Sequence, residues 1–147
     1  RWLIWLEKIG PEGVKSFSDL AHVNVQPPTA ELRPAHFEQT DEADLMPYEV
    51  LDAIERYAIR DKQMPIEVWY QIQSIFPNYS HTQLSKWIEM FFELWSRNQW
   101  KRERYAPSFH LDDENLDPKT WCRFPILSGG FKREIKELRE LVDSQKE

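Results

Sequence analysis

The longest helical pattern in this sequence is SHTQLSKWIEMFFELWSRNQW, residues 80–100. Its apolar side chains recur every three or four positions, which is the spacing of residues on one face of an α-helix. Ser80 and Gln83 have the spacing of a capping box, in which each side chain satisfies a backbone N–H that the first turn leaves unpaired. The stretch therefore predicts a long amphipathic helix that begins at Ser80. Its apolar face consists of Leu84, Trp87, Ile88, Phe91, Phe92 and Trp95.

Helical patterns also fill most of the chain on either side of this stretch. Pro47 and Pro65 each precede apolar residues at helical spacing, and proline is favoured at the first position of a helix. Val23 to Val25 is the best candidate for a β-strand. The sequence therefore predicts a mainly α-helical chain. The predicted helices cover residues 1–9, 16–21, 47–58, 65–76, 80–100 and 131–142.

Composition and charge exclude several classes of protein. The chain has 147 residues, a formal net charge of −6 and one cysteine. A single cysteine rules out an internal disulfide framework and a multi-cysteine zinc site, and the acidic balance argues against a nucleic-acid-binding domain. No apolar run approaches the roughly 20 residues that cross a bilayer, and no signal-peptide pattern is present. We therefore expect no membrane insertion and a cytoplasmic location.

The aromatic content predicts a packed core or a large interface, because the chain holds 7 tryptophans and 14% aromatic residues. Its first nine residues are strongly apolar, whereas chain starts are usually polar and frayed. We therefore expect a chain cut from a larger protein. An exposed apolar helix face needs a partner, so we also expect self-association, as in a homo-oligomer.

A basic and aromatic tract, QWKRERY at residues 99–105, follows the longest predicted helix. Lys and Arg can hold phosphate oxygens while an aromatic ring stacks on a base or packs beside a sugar. Cations at a helix C-terminus also complement the helix dipole without any ligand. Taken alone, the tract favours this structural explanation and leaves phosphate binding open.

Other polar groups have simple structural explanations beside a functional one. Residues 38–55 hold seven carboxylates and no Lys or Arg. Those at 39–42 could hold Mg²⁺, but they equally suit a helix start. The four histidines lack the spacing of a zinc site, and Cys122 is expected to be a buried structural thiol. Residues 106–130 predict a long ordered loop, in which residues 128–130 lead into the last helix.

Four tracts together resemble the long, glutamine-dependent bacterial NAD synthetases. QPPTAELRP at residues 26–34 and QTDEADLMPY at residues 39–48 resemble the end of the synthetase domain of this family. NQWKRERYAPSFH at residues 98–110 and WCRFPILSGGF at residues 121–131 are similar to its C-terminal region. Each tract alone is moderately specific, and their common order along the chain makes the resemblance strong.

The resemblance implies a fold and a reaction. The implied fold is the C-terminal helical part of an α/β synthetase domain of the Rossmann-like, adenine-nucleotide α-hydrolase-like type. In the family, the nicotinate carboxylate of deamido-NAD attacks the α-phosphorus of ATP, which gives an adenylate and pyrophosphate, and ammonia then displaces AMP. Mg²⁺ neutralises phosphate charge, and the ammonia comes from glutamine, which a separate amidase domain hydrolyses. The implied partners are deamido-NAD, ATP with Mg²⁺, and glutamine or ammonia.

The resemblance also implies site residues. Thr29, which lies between prolines and could otherwise cap a turn, matches the threonine that contacts ATP, and Lys101 matches the lysine that binds deamido-NAD. Trp100 stands where the short family members often have histidine, and Arg102 and Arg104 are expected to be phosphate neighbours.

The pyrophosphatase loop and the amidase domain do not occur in this chain. We therefore expect residues 1–147 to be the C-terminal portion of the synthetase domain, inactive alone, with no catalytic residue and no metal ligand. The alternative is a non-catalytic helical interaction module.

Overall fold

A computed structural model describes residues 2–26, 40–104 and 117–145 of the chain. Every regular element in these ranges is helical and none is a strand, so the prediction of a mainly α-helical chain is confirmed. None of these helices is both long and apolar enough to span a bilayer. The helices are α1 (Trp2–Lys8), α2 (Ala21–Asn24), α3 (Asp41–Asp44), α4 (Tyr48–Glu55), α5 (Pro65–Ile75), α6 (His81–Arg97), α7 (Gln99–Glu103) and α8 (Lys132–Ser144).

The chain divides into two compact units, residues 1–44 and residues 45–147. In the first unit, α1 packs against α2 and against the short 3₁₀ helix Ser18–Leu20 that precedes it. Two hydrogen bonds hold these pieces together. Asn24 Nδ2 donates to Glu7 Oε2 at 2.7 Å, and the Phe17 N–H donates to the Leu6 carbonyl at 3.0 Å.

The strand predicted at Val23 to Val25 is wrong, because helix α2 and the turn after it occupy these residues. A strand needs a neighbouring strand to pair its backbone groups, and the described ranges contain none. The backbone groups pair locally instead, since the Val25 N–H donates to the Ala21 carbonyl at 3.2 Å.

The outer side of α1 is apolar and open to solvent. Trp2 is 64% exposed, Leu3 and Ile4 are 44% and 45% exposed, and no residue of this helix is buried. The Trp2 and Trp5 rings stack with their centroids 4.7 Å apart. The apolar start predicted from the sequence is therefore a helix that packs on α2 and the 3₁₀ helix and leaves several large apolar side chains exposed.

The second unit is a bundle in which α6 packs against α4, α5 and α8. The Ser80 hydroxyl accepts the Gln83 N–H at 3.2 Å, so the helix begins where the sequence predicts. Of its predicted apolar face, Leu84, Ile88 and Phe92 are buried in the core, and Trp87, Phe91 and Trp95 pack against the core partly buried. The core consists of Met46, Val50, Ile54, Ala58, Ile59, Val68, Trp69, Ile72, Leu84, Ile88, Phe92, Ile135, Leu138 and Val142.

Two helices of this unit end in irregular junctions, α4 in a π-helical turn and α6 in a break just before the basic tract. Helix α4 continues as a π-helical turn, Arg56–Arg60, in which the Asp61 N–H donates to the Arg56 carbonyl at 3.1 Å. The helix predicted over residues 80–100 is interrupted at Asn98, where φ is −98° and ψ is 16°, and the chain resumes as α7. The basic tract therefore begins a separate short helix after α6.

Candidate functional site

Helix α7 carries an exposed cation beside an exposed aromatic ring. Trp100 is 49% exposed, and the Lys101 side chain is exposed too. The Lys101 ammonium lies 5.7 Å from the centroid of the Trp100 ring, which is cation–π distance. Arg104, also exposed, ends the helix three positions after Lys101. The end of α7 therefore presents one cation against an indole and a second exposed cation at the C-cap.

Arg102 occupies a different environment from these two cations. Its Nη1 donates to Gln99 Oε1 at 2.6 Å, and its Nη2 donates to the Cys122 carbonyl at 2.8 Å. Its guanidinium carbon lies 3.9 Å from the centroid of the Trp95 ring. Burial lowers the pKa of the guanidinium from its ordinary value, although an arginine remains protonated in proteins. Arg102 therefore holds a partly buried charge on an aromatic face.

Gln99 completes this arrangement from the inner side of α7. Its side chain is 1% exposed, and its Nε2 donates to the Trp95 carbonyl at 2.6 Å. The amide thus joins the last turn of α6 to the Arg102 guanidinium. We call the four residues Trp95, Gln99, Arg102 and Cys122 the Arg102 network.

Residues 117–131, the 117–131 loop, are fixed to the bundle at their first end by a tryptophan. Trp121 Nε1 donates to the Ile59 carbonyl at 3.3 Å, at the end of the π-helical turn. The Lys62 ammonium lies 5.2 Å from the centroid of the same indole. Nearby, Arg123 pairs with Glu103 of α7 at 3.4 Å. The loop is therefore attached both to the helical core and to the basic helix.

An aromatic stack fixes the second end of the loop. The Phe131 ring lies 5.4 Å from that of Phe124 and 4.7 Å from that of Phe92 in α6, measured between centroids. Between the two ends, the tip of the loop is open, with Leu127 97% exposed. Within its described part, the long ordered loop predicted from the sequence is thus a segment held at both ends.

The structure places the predicted site residues in two environments. Trp100, Lys101 and Arg104 lie on the exposed surface of α7, whereas Arg102 lies partly buried in the Arg102 network. Thr29 lies outside the described residues. Sequence reasoning missed Gln99. Its one available signal is its position four residues after Trp95, which places a polar side chain on the inward face of the helical pattern.

Other candidate residues have structural roles. The Thr40 hydroxyl accepts the Ala43 N–H at 3.2 Å at the start of α3, in agreement with the helix-start explanation of the acidic tract. No three His, Cys, Asp or Glu side chains converge as a metal site in residues 2–26, 40–104 and 117–145. Cys122 is a free thiol that is half-buried rather than fully buried. Gly130 leads into α8 as predicted, and its N–H donates to Ser128 Oγ at 3.0 Å.

Comparison with known proteins gives a consistent result. The chain is 26% identical over 133 residues to a glutamine-dependent NAD(+) synthetase from Arabidopsis thaliana. It is 31% identical over 138 residues to one from Oryza sativa subsp. indica. These alignments cover 87% and 86% of the chain but only 18% of each plant protein. No protein-family profile matches the chain.

A solved structure supports the same relationship at the level of the fold. The chain superposes on the crystal structure of a glutamine-dependent NAD(+) synthetase from Cytophaga hutchinsonii with a TM-score of 0.69 and 40% sequence identity. The superposition covers 93% of this chain and 19% of the Cytophaga chain. By sequence and by fold, the chain belongs to the glutamine-dependent NAD(+) synthetase family, of which it represents a segment about a fifth as long as these relatives.

Proposed function

We propose that the chain is the C-terminal portion of the synthetase domain of a cytoplasmic NAD synthetase. The complete enzyme would convert deamido-NAD to NAD with ATP, Mg²⁺ and glutamine-derived ammonia through an adenylate. The observation that carries this proposal is the 40% identity to the Cytophaga synthetase over 93% of the chain. The parent domain would then have the Rossmann-like α/β fold implied by the sequence, and this segment would supply helices to it.

In this proposal, α7 lines the nucleotide site. Lys101 would hold an oxygen of deamido-NAD by a charge-assisted hydrogen bond, and Trp100 would offer a flat apolar face to a base or a sugar. Arg104 adds positive charge at the C-cap of α7, and Arg102 is their neighbour in sequence. Thr29 would contact ATP. The exposed indole and ammonium of α7 support this assignment, because neither group is covered in the described structure.

The chemical step is assigned to other parts of the enzyme. The sequence resemblance carries no catalytic residue and no metal ligand over to this chain, so we assign neither to it. Its contribution would be to bind and orient the dinucleotide. The isolated chain should therefore make no NAD from deamido-NAD, ATP and ammonia, and amide formation by residues 1–147 alone would contradict the proposal.

The decisive experiment is a Lys101→Ala substitution in the complete synthetase. A lost charge-assisted hydrogen bond costs about 1.5–3 kcal/mol, so the KM for deamido-NAD should rise roughly tenfold or more. Glutamine hydrolysis should remain near wild type, because it takes place in another domain. The matched control is Lys136→Ala, which removes an equally exposed cation on α8 that pairs with Glu140. Wild-type kinetics for Lys101→Ala would exclude Lys101 from the site.

The rival function is a non-catalytic helical interaction module, and the exposed apolar side of α1 favours it. Such a module would use Trp2, Leu3 and Ile4 for binding and would need no nucleotide. The same enzyme preparation distinguishes the two proposals. NAD formation that depends on Lys101 supports the synthetase. A complete protein that forms no NAD but binds a partner through α1 supports the module.

A further inference from the structure

We infer that Arg102 is a positioning residue of the nucleotide site: through Gln99 and the Cys122 carbonyl it holds the 117–131 loop on α7 and fixes the direction in which Lys101 points. This inference rests on the proposed function, because it concerns the site that Lys101 would form. It gives Arg102 a role other than that of a phosphate ligand.

The first argument is the use of the guanidinium fork. Nη1 and Nη2 donate in different directions, to Gln99 Oε1 within α7 and to the Cys122 carbonyl 20 residues further along the chain. The flat group also lies on the Trp95 ring of α6. Arginine suits such a junction because its donors are rigidly coplanar and can stack on an aromatic face. One side chain therefore contacts three parts of the second unit.

The second argument is the burial of Gln99. At 1% exposure, its amide has both a donor bond to the Trp95 carbonyl and an acceptor bond from Arg102. A buried polar group that loses its partner costs about 1–3 kcal/mol. Movement of Arg102 towards a ligand would leave the Gln99 oxygen without this partner. The arrangement therefore favours a guanidinium that stays in place.

The third argument is the small size of α7. A helix of five residues has almost no stability by itself, because nucleation is costly and few bonds follow it. Its direction must come from contacts with its surroundings. Those contacts come from Gln99, Arg102 and the Glu103–Arg123 pair. Lys101 lies between the first two in sequence, so the same contacts determine where its ammonium is presented.

The test compares two variants of the complete synthetase. Gln99→Met keeps the Arg102 charge but removes the hydrogen bonds of the amide, and Arg102→Lys keeps the charge but removes the fork. If Arg102 positions Lys101, both variants should raise the KM for deamido-NAD roughly five- to twentyfold, with kcat changed less than about twofold. Arg133→Lys on α8, an exposed arginine paired with Glu137, is the control and should match wild type.

A second measurement separates positioning from a general loss of structure. Hydrogen exchange in the complete enzyme should accelerate in peptides from the 117–131 loop for both variants, while peptides from α5 and α6 stay protected. The positioning role also predicts a raised KM for Gln99→Met, a substitution that removes no charge. A direct phosphate ligand predicts a normal KM for Gln99→Met, because the guanidinium charge is kept.

Each contrary result overturns the inference. A normal KM for Gln99→Met together with a raised KM for Arg102→Lys would make Arg102 a ligand. Faster exchange in the loop with an unchanged KM would leave Arg102 a purely structural role. If Lys101→Ala also has a normal KM, the nucleotide site of the proposed function fails as well. If Lys101→Ala alone raises the KM, the proposed function stands and only the positioning role is lost.

Discussion

Gly130 leads into α8 directly against Ser96 of α6. Its φ is +74°, and a β-carbon placed on it would lie 3.0 Å from the Ser96 hydroxyl oxygen. That hydroxyl donates to the Phe92 carbonyl at 2.9 Å, so it cannot rotate away without losing a bond. Residue 130 is therefore a place where both backbone conformation and space favour glycine.

Gly130→Ala should destabilise the chain by about 1–2 kcal/mol, because alanine meets both the left-handed backbone and the Ser96 side chain. The matched control is Gly129→Ala, since a β-carbon on that residue meets nothing within 4 Å and its φ is not positive. Urea unfolding followed by circular dichroism measures the difference. Equal midpoints for the two variants would show that residue 130 is not under strain.

A second prediction concerns the core beneath α6. Ile88 is fully buried, so Ile88→Ala should cost about 2–5 kcal/mol through lost burial and the cavity it leaves. Leu127→Ala removes a similar side chain that is 97% exposed and should cost less than about 0.5 kcal/mol. Denaturant unfolding of the three proteins gives both values. A large effect at Leu127 would mean that the loop tip is covered in solution.

The third prediction is a dependence of stability on pH at Glu55. Burial raises the pKa of this carboxyl above its ordinary value, and the nearby Asp52 carboxylate raises it further. The folded state therefore favours the protonated form. The contribution of Glu55 to the free energy of unfolding is therefore fully present below the pKa of the unfolded state. It is lost as the pH rises through the raised pKa of the folded state. Glu55→Gln should accordingly have a higher Tm than wild type at pH 7.

The difference should disappear at acidic pH, where the carboxyl is protonated in both states. Asp52→Asn is the informative companion, because it removes the coulombic contribution and leaves the burial of Glu55. It should raise the Tm at pH 7 by less than Glu55→Gln does. Thermal scans from pH 4 to pH 8 make this comparison. A Tm difference that stays constant over that range would contradict the ionisation argument.

The fourth prediction concerns the apolar side of α1. The 147-residue chain should self-associate, and Trp2→Ser with Leu3→Ser should reduce the association, because these side chains are 64% and 44% exposed. Val25→Ser is the control, since it removes an apolar side chain that is 77% exposed but lies outside α1. Gel filtration with light scattering gives the mass of each protein. A wild-type chain that elutes with the mass of a monomer would contradict this prediction.

Local patterns were sufficient for the helices that form the bundle. The helical spacing after Ser80 and the proline at position 65 depend on neighbouring residues alone, and the structure begins α6 and α5 there. The break at Asn98 was not predictable in the same way. Gln99 bonds back to Trp95, while Arg102 reaches Cys122, 20 positions away. The second of these contacts, which holds α7 to the 117–131 loop, is one that no local spacing encodes.

The candidate site was likewise predictable from the sequence only in part. The types of residue in the basic tract were enough to indicate exposed cations and an aromatic ring, and Trp100 and Lys101 have that character. The sequence could not separate Arg102 from its neighbours, since all three cations are alike until the fold provides an inner side. The ring of Trp95 and the carbonyl of Cys122 make that distinction.

The hydrogen bond between Trp121 and Ile59 has a consequence for the time course of folding. Its partners are 62 positions apart, so closing this contact carries a large entropic cost that local helix formation does not. The π-helical turn can form early, yet the Ile59 carbonyl gains this partner only when the distant indole arrives. The arrival of Trp121 should thus accompany the packing of α8 against α5, a contact of similar sequence separation, and follow the formation of the single helices.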